Sequence, residues 1–304
     1  MTSASGLTVT HTSTVTPDQI DHLGHMNVRY YGVNACSATR SLVGAAPIVD
    51  MYTRHHREQL VGAELEVRSG LLDVDDRTVR LYHELANTDT GDVAATFVYR
   101  ARPESAPSGT APDETRSIEG VETVEIPVHG QPRSIDLASV MARPSLADVR
   151  RLDLALRAPR TIDESDEAAI GSSSRTVGPD MAAMLFWGGD PVDGSGGELL
   201  HTGPNGEQIG WATMETRVVI DRFPTVGTRI QSFCATTAIG DKTTQQAMWV
   251  YDLDSASGAG ALLGSFDVVS VVFDVGARRA MSIPPEMRSH HESLLHPELA
   301  ARPR

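Results

Sequence analysis

The chain reads Asp-His-Leu-Gly-His-Met-Asn-Val-Arg-Tyr-Tyr over residues 21–31, and this stretch decides its local fold. Asp21 ends an extended run, and Gly24 allows a backbone turn where a β-carbon would clash. Asn27 is a favourable N-cap for a helix from about Val28 to Val43. The stretch therefore predicts a carboxylate, a tight turn and a helix start close together.

A helix start suits acyl-transfer chemistry, because the first backbone N–H groups of a helix have no acceptor within it. With the helix dipole, these groups can stabilise a thioester carbonyl as it becomes an oxyanion. The backbone N–H of Val28 is the candidate donor, and Asp21 is the candidate base or nucleophile. His25 and Asn27 are candidates for orienting the carbonyl or a water molecule. Packing for His25 and capping for Asn27 are the structural alternatives, and the sequence leaves both interpretations open.

The order Asp-x-x-Gly-His-Met-Asn-x-x-Tyr-Tyr, followed by a helix, resembles the hotdog-fold thioesterases of the 4-hydroxybenzoyl-CoA thioesterase type. Within that type it is similar to the branch that carries Gly-His-Met-Asn. The resemblance extends from about Thr8 to Arg102, since a strand that enters at Gly62 and two hairpin strands follow in the family's order. It implies an α+β fold in which a curved antiparallel sheet wraps one helix. It also implies an acyl-CoA thioesterase whose only cofactor-like group is the coenzyme A of the substrate.

An internal repeat links the two halves of the chain. Residues 61–65 align with residues 226–230, and residues 76–78 align with residues 241–243, at one offset of 165. Both segments lead into alternating residues typical of strand hairpins. The repeat therefore predicts a tandem (double) hotdog fold, with two curved antiparallel sheets that each wrap a central helix.

The second half lacks Gly-His-Met-Asn at the corresponding place, residues 177–187, where Asp180 is better explained as a helix cap than as a second base. The resemblance implies active sites at the interface of the two halves. We expect one working site per chain and one degenerate site that forms a wall. Four residues are candidates for substrate binding: Gly24, Tyr31, Met184 and Trp187.

Composition suggests four segments along the chain. A Pro- and Ser-rich stretch follows Arg102, and an amphipathic helix is predicted from Ser145 to about Arg157. The predicted segments are a first hotdog domain with the catalytic motif (1–102), a linker with a short helix (103–170), a second, degenerate hotdog domain (171–283) and a C-terminal tail (284–304).

The net charge limits the classes of binding partner, and the cysteine content indicates the cellular compartment. A formal net charge of −14 argues against nucleic acid or an anionic membrane as partner, because both require clustered Lys and Arg. Two cysteines, Cys36 and Cys234, give neither a disulfide framework nor metal-ligand spacing, which favours a reducing cytoplasm. The chain shows neither a secretion signal nor an apolar run of about 18 residues. We expect a soluble cytoplasmic protein without a bound metal.

Coenzyme A is itself anionic, so a local basic rim is required to bind it. The candidates are Arg54, Arg57, Arg77, Arg80 and Lys242.

Two other classes of function stay open. Hotdog hydratases and dehydratases use an Asp and His pair, which Asp21 and His25 would supply, although the Gly-Asp-x-Asn-Pro-x-His pattern of dehydratases is absent. A non-catalytic acyl-thioester binding protein is the other alternative, because one half has lost the motif. Association of the tandem chain into a homodimer is also open.

Overall fold

The computed structural model describes residues 6–21, 23–44, 46–75, 77–102, 121–166, 200–203, 206–255 and 260–303. The described residues up to Pro132 belong to one compact unit, and those from Arg133 onward belong to a second. The predicted linker is therefore divided between the two units. Among the described residues, no helix combines the length and the apolar character needed to cross a bilayer.

The first unit is an antiparallel sheet packed against one helix. Its elements are β1 (Thr8–Thr14), α1 (Val28–Val43), β2 (Ile48–His55), β3 (Glu64–Val74), β4 (Val79–Asn87) and β5 (Val93–Ala101). The strand order is β1-β3-β4-β5-β2. The bounds of α1 are those predicted from the sequence. The helix contacts the sheet through small buried residues such as Ala35 and Ala38. Oγ1 of its Thr39 lies 3.0 Å from Nε2 of His83 in β4.

A segment that we call the linker strap, residues 121–131, pairs with Leu71 of β3 through Thr123 and then lies, around His129, against the face of the sheet opposite α1. Glu84 follows His83 in β4 and therefore points away from α1. Its side chain is fully buried and accepts hydrogen bonds from the Tyr82 hydroxyl (2.9 Å) and from Nε2 of His129 (2.7 Å). Arg54 of β2 donates to the carbonyls of His129 and Gln131, at 3.1 and 2.7 Å. Buried polar contacts therefore fasten the strap to the sheet.

Replacing His129 with Leu is expected to destabilise the first unit by about 3 kcal/mol, because the buried Glu84 carboxylate then loses a donor. Urea unfolding would measure the change, and hydrogen exchange of the strap amides should increase with it. His129→Gln, which keeps a donor, is the control and should lose less. Equal stability of the Leu variant and the native protein would mean that the contact does not hold the strap.

The second unit repeats the sheet. Its elements are α2 (Leu146–Arg151), β6 (Arg160–Thr161), β7 (Leu200–Thr202), β8 (Gln208–Ile220), β9 (Arg229–Ile239), β10 (Thr243–Asp252), β11 (Ala261–Asp274), β12 (Arg279–Ala280) and α3 (Pro285–Ser293). The strand order is β8-β11-β10-β9-β6, with β7 paired to β8 and β12 paired to β11. The residues after Ile283 fold as part of this unit, because α3 is followed by a bridge between Leu295 and Thr236 of β9.

The predicted repeat is visible in individual hydrogen bonds. Gly62 donates to the carbonyl of Val15 at 2.8 Å, and Gly227 donates to the carbonyl of Ile162 at 2.8 Å. Both glycines have positive φ, 82° and 89°, a conformation that other residues rarely adopt. The offset of 165 residues is thus an equivalence of backbone structure at the entry to β3 and β9.

The predicted short helix is present but ends earlier than expected. Ser145 caps α2 and forms a capping box with Asp148. The helix ends at Arg151, because Asp153 adopts a positive φ of 55° and the chain then runs along β9, where Leu156 donates to the Ser232 carbonyl. Burial of α2 comes from an apolar cluster with residues of β9 and β10. Its fully buried members include Leu146, Val149, Phe233, Trp249 and Tyr251.

Candidate active site

The loop between Asp21 and His25 is a tight backbone turn. The Asp21 N–H donates to the His25 carbonyl at 2.9 Å, and the Gly24 N–H donates to the Asp21 carbonyl at 3.0 Å. Gly24 has a φ of 85°, which accounts for glycine at this position. Oδ1 of Asp21 accepts a hydrogen bond from the Leu23 N–H at 2.8 Å. The turn therefore fixes the direction of the Asp21 carboxylate, with Oδ2 on the side of His25.

Two contacts anchor the end of this loop at the start of α1. The Met26 side chain is only 1% exposed, and its N–H donates to the Gln59 carbonyl at 2.8 Å. The Asn27 side-chain carbonyl accepts a hydrogen bond from the Arg29 N–H at 3.1 Å. Asn27 is therefore the N-cap of α1, as predicted. Its Nδ2 amide group can donate to a further partner, and its oxygen keeps a second lone pair.

Val28 is the first residue of α1, and its backbone N–H lies next to this cap. No hydrogen bond joins the Val28 N–H to another residue within the described part of the chain, whereas the Asn27 side chain and carbonyl accept from the next two N–H groups, those of Arg29 and Tyr30. Val28 is 43% exposed. A donor at the positive end of a helix dipole can receive a developing negative charge.

His25 lies between two carboxylates. Its Nδ1 is 3.4 Å from Oδ2 of Asp21, and its Nε2 is 3.5 Å from Oε1 of Glu58. The Asp21 and His25 side chains are each 13% exposed, whereas Glu58 is 44% exposed. The three side chains therefore lead from a shielded carboxylate toward solvent.

Glu58 was not among the residues singled out in the sequence. It lies 33 positions after His25 in the stretch between β2 and β3, and nothing in its immediate sequence marks it as part of the site. Only the fold brings Glu58 to His25.

Tyr31 forms a wall beside this group. The residue is 3% exposed, and its hydroxyl donates to the Arg57 carbonyl at 3.0 Å. Burial raises the pKa of Tyr31 far above its usual value, and the negative charge of Asp21 adds to the increase. The ring meets His55 edge-on, with centroids 5.1 Å apart. Tyr31 is thus a neutral phenol packed near the carboxylate.

The structure brings most of the predicted residues together. The loop and the first turn of α1 contain all those predicted in the first half: Asp21, Gly24, His25, Asn27, Val28 and Tyr31. The candidates from the second half, Met184 and Trp187, lie outside the described residues, as does the whole stretch 177–187. Their placement stays a prediction.

Two of the predicted basic residues have other partners. Arg54 donates to the linker strap, and Arg80 pairs with Asp73 at 2.6 Å. Arg57 precedes Glu58 and is exposed, so it is the better placed of the candidates for an anionic group. No cluster of three His, Cys, Asp or Glu side chains suited to a metal ion occurs in the described part of the chain.

Residues 15–103 match the family model described as the thioesterase-like superfamily. This range contains the whole loop, α1 and strands β2 to β5. This part of the chain is therefore similar in sequence to thioesterase-like proteins. A comparison with curated proteins found no match.

Solved structures share the fold along most of the chain. An acyl-ACP thioesterase from Bacteroides thetaiotaomicron has a TM-score of 0.55 and 11% identity, over 87% of this chain and 98% of that one. The 12:0-ACP thioesterase from Umbellularia californica has a TM-score of 0.56 and 12% identity, over 87% of this chain and 93% of that one. A conserved hypothetical protein from Mycobacterium tuberculosis with a double hotdog fold has a TM-score of 0.51 and 12% identity, over 89% of this chain and 97% of that one. The predicted tandem hotdog fold is confirmed.

Proposed function

We propose that the protein is a thioesterase that hydrolyses an acyl-CoA, or a related acyl thioester, to the free acid and the thiol. The observation that carries the proposal is the shielded Asp21 carboxylate, whose Oδ2 lies 3.4 Å from Nδ1 of His25 in the loop that leads into the exposed start of α1 at Val28. The sequence match of residues 15–103 to the thioesterase-like superfamily supports it.

The substrate carbonyl oxygen accepts a hydrogen bond from the Val28 N–H, which strengthens as the carbonyl becomes an oxyanion. Asp21 then acts in one of two ways. As general base it removes a proton from a water molecule that attacks the carbonyl carbon, and as nucleophile it attacks the carbon itself to give a mixed anhydride. In both routes the carbon–sulfur bond breaks and the thiolate leaves, and in the nucleophilic route a water molecule then hydrolyses the anhydride, which releases the acid and restores the Asp21 carboxylate.

His25 and Glu58 have a supporting role in this proposal. A neutral imidazole can donate a hydrogen bond from only one ring nitrogen, whereas the protonated ring can donate from both. A carboxylate lies near each ring nitrogen of His25, and in this proposal His25 gives a proton to the leaving thiolate. Glu58, which is partly exposed, connects His25 to solvent for reprotonation. Asn27 holds the helix start in place and can use its Nδ2 group to orient the attacking water.

Coenzyme A is the proposed carrier. The net charge of −14 disfavours an acidic carrier protein, because the two surfaces would repel each other. The exposed Arg57 beside the site is the proposed contact for a phosphate of coenzyme A. Two of the structural relatives are described as acyl-ACP thioesterases, so an acyl-ACP is the competing substrate to test.

Thiol release from short, long, branched, aromatic and charged acyl-CoAs tests the proposal. The native protein is expected to hydrolyse at least one of them, and Asp21→Asn is expected to lose at least about 100-fold in kcat/KM, within the usual range for a general base. Asp18→Asn is the matched control, because Asp18 is an exposed carboxylate in the same segment. Circular dichroism checks that both variants fold.

Two outcomes would favour the other classes of function. Hydration of an enoyl-CoA without thiol release would indicate a hydratase that uses Asp21 and His25. Acyl-CoA binding without any turnover would indicate a non-catalytic binding protein. If Asp21→Asn and Asp18→Asn release thiol at the native rate, Asp21 is not the catalytic group.

A further inference from the structure

His55 has a buried polar atom that no group satisfies. Its Nδ1 is shielded from solvent and has no hydrogen-bond partner among the described residues. A buried polar atom left without a partner typically costs about 1–3 kcal/mol, so such atoms are rare and require an explanation. The neighbouring Tyr31 hydroxyl does not supply one, since it donates to the Arg57 carbonyl.

The position of His55 connects this atom to the candidate active site. His55 is the last residue of β2, and its ring meets the ring of Tyr31 edge-on at 5.1 Å. Tyr31 belongs to the first turn of α1, which begins at Val28, and its phenol is close enough to Asp21 to be influenced by that charge. Tyr31 therefore connects the ring of His55 to the carboxylate of Asp21, and the proposal below places the first carbons of the acyl chain beside these two rings.

The ring of His55 is neutral at neutral pH. Burial lowers the pKa of His55 to about 4, and the neighbouring His56 lowers it further. A neutral imidazole has one nitrogen that donates and one that accepts. Nδ1 therefore needs either an acceptor or a donor, depending on the tautomer, and a hydroxyl group can be both.

We propose that Nδ1 of His55 binds a hydroxyl group on the acyl chain, so that the preferred substrates are thioesters hydroxylated on the second or third carbon. The inference rests on the proposed thioesterase function and adds the class of acyl group. Binding of such a substrate would satisfy the buried nitrogen, whereas an unsubstituted acyl chain would leave it without a partner. Sites that bind a substrate hydroxyl discriminate strongly against the analogue that lacks it.

Hydrolysis of 2-hydroxybutyryl-CoA, 3-hydroxybutyryl-CoA and butyryl-CoA tests the proposal. The native protein is expected to have a kcat/KM at least about tenfold higher for one of the hydroxylated thioesters than for butyryl-CoA. In His55→Leu, this ratio is expected to fall to about one. His55→Gln, which keeps a polar group near the same place, should retain part of the preference.

His291→Leu is the matched control. His291 is also a buried neutral histidine, because burial lowers its pKa to about 4, but its Nδ1 has a partner in Thr236 at 3.2 Å. This variant should keep the native ratio. If His55→Leu does not fold, the ratios of the native protein and of His55→Gln decide, since only the glutamine variant should have a weakened preference.

The results separate the two proposals. If no thioester is hydrolysed, the thioesterase function fails and the substrate class fails with it. If butyryl-CoA is hydrolysed as well as both hydroxylated thioesters, or if His55→Leu keeps the native preference, the role of His55 is wrong while the thioesterase function stands.

Discussion

Val28→Pro is expected to lower kcat for thioester hydrolysis by about 10²- to 10³-fold while the fold is preserved. The substitution removes one hydrogen-bond donor, the backbone N–H that we assign to the oxyanion. Loss of one such donor typically costs about 2.7–4 kcal/mol of transition-state stabilisation.

The helix should tolerate proline here. Val28 is the first residue of α1, where proline is favourable because the N–H has no acceptor within the helix. The preceding residue, Asn27, already has the extended conformation that proline imposes on its predecessor, with φ −59° and ψ 138°. The side chain at position 28 is 43% exposed, so little packing is lost.

Val28→Ala is the control, because it removes the same side chain and keeps the N–H. Steady-state kinetics of thiol release would compare the three proteins, and circular dichroism would confirm the helix. A folded Val28→Pro protein with native kcat would show that another group binds the oxyanion. A loss of equal size in Val28→Ala would assign the effect to the side chain.

The geometry of the loop and of the helix start was largely predictable because its determinants are local. A glycine that must adopt a positive φ, an asparagine cap and the helix that follows all lie within a few residues, so short-range rules fix their geometry. The repeat was visible for a related reason, because the turns before β3 and β9 need glycine at equivalent positions, Gly62 and Gly227.

What the sequence did not indicate depends on contacts between distant residues. Glu58 reaches His25, and Glu84 reaches His129, only after the sheet has formed. The early end of α2 follows from the positive φ of Asp153, a conformation that a non-glycine residue rarely adopts.

The alternation of apolar residues in β10 also does not show which face of the strand packs against a helix. The sheet of the second unit is buried on the face that carries Trp249, whose indole N–H donates to the Ala142 carbonyl at 2.8 Å. At the offset of 165 residues, Trp249 corresponds to Glu84, whose side chain points away from α1. It does not correspond to His83, whose side chain points toward α1. A strand that is covered on both faces does not reveal from its pattern which face meets the helix.

The stability of the protein is expected to fall with acid partly because of His83, which is fully buried between α1 and the sheet. The Thr39 hydroxyl donates to the Ala35 carbonyl at 2.9 Å, so its oxygen accepts from Nε2 of His83 at 3.0 Å. Nδ1 then accepts from the Ser69 hydroxyl at 2.6 Å. The ring is therefore held neutral, with its proton on Nε2.

Burial lowers the pKa of His83 from 6.5 to about 3 in the folded protein. Between these two values the unfolded chain binds a proton at this residue and the folded protein does not, so the free energy of unfolding decreases as the pH falls. The stabilising contribution is present in full above pH 6.5 and is lost progressively toward pH 3. From pH 7.5 to 4.5 the loss is about 2.5 kcal/mol, at about 1.4 kcal/mol per pH unit below 6.5.

His83→Gln isolates this contribution, because glutamine can pair with Thr39 and Ser69 but does not titrate. Urea unfolding of both proteins at pH 7.5 and 4.5 is expected to show that the native protein loses about 2.5 kcal/mol more than the variant. His55 and His291, whose pKa values are also lowered, contribute equally to both proteins and cancel in the difference. A difference between the two proteins that does not change with pH would mean that His83 is protonated to the same extent before and after unfolding, and the assignment of a neutral ring in the folded protein would then be wrong.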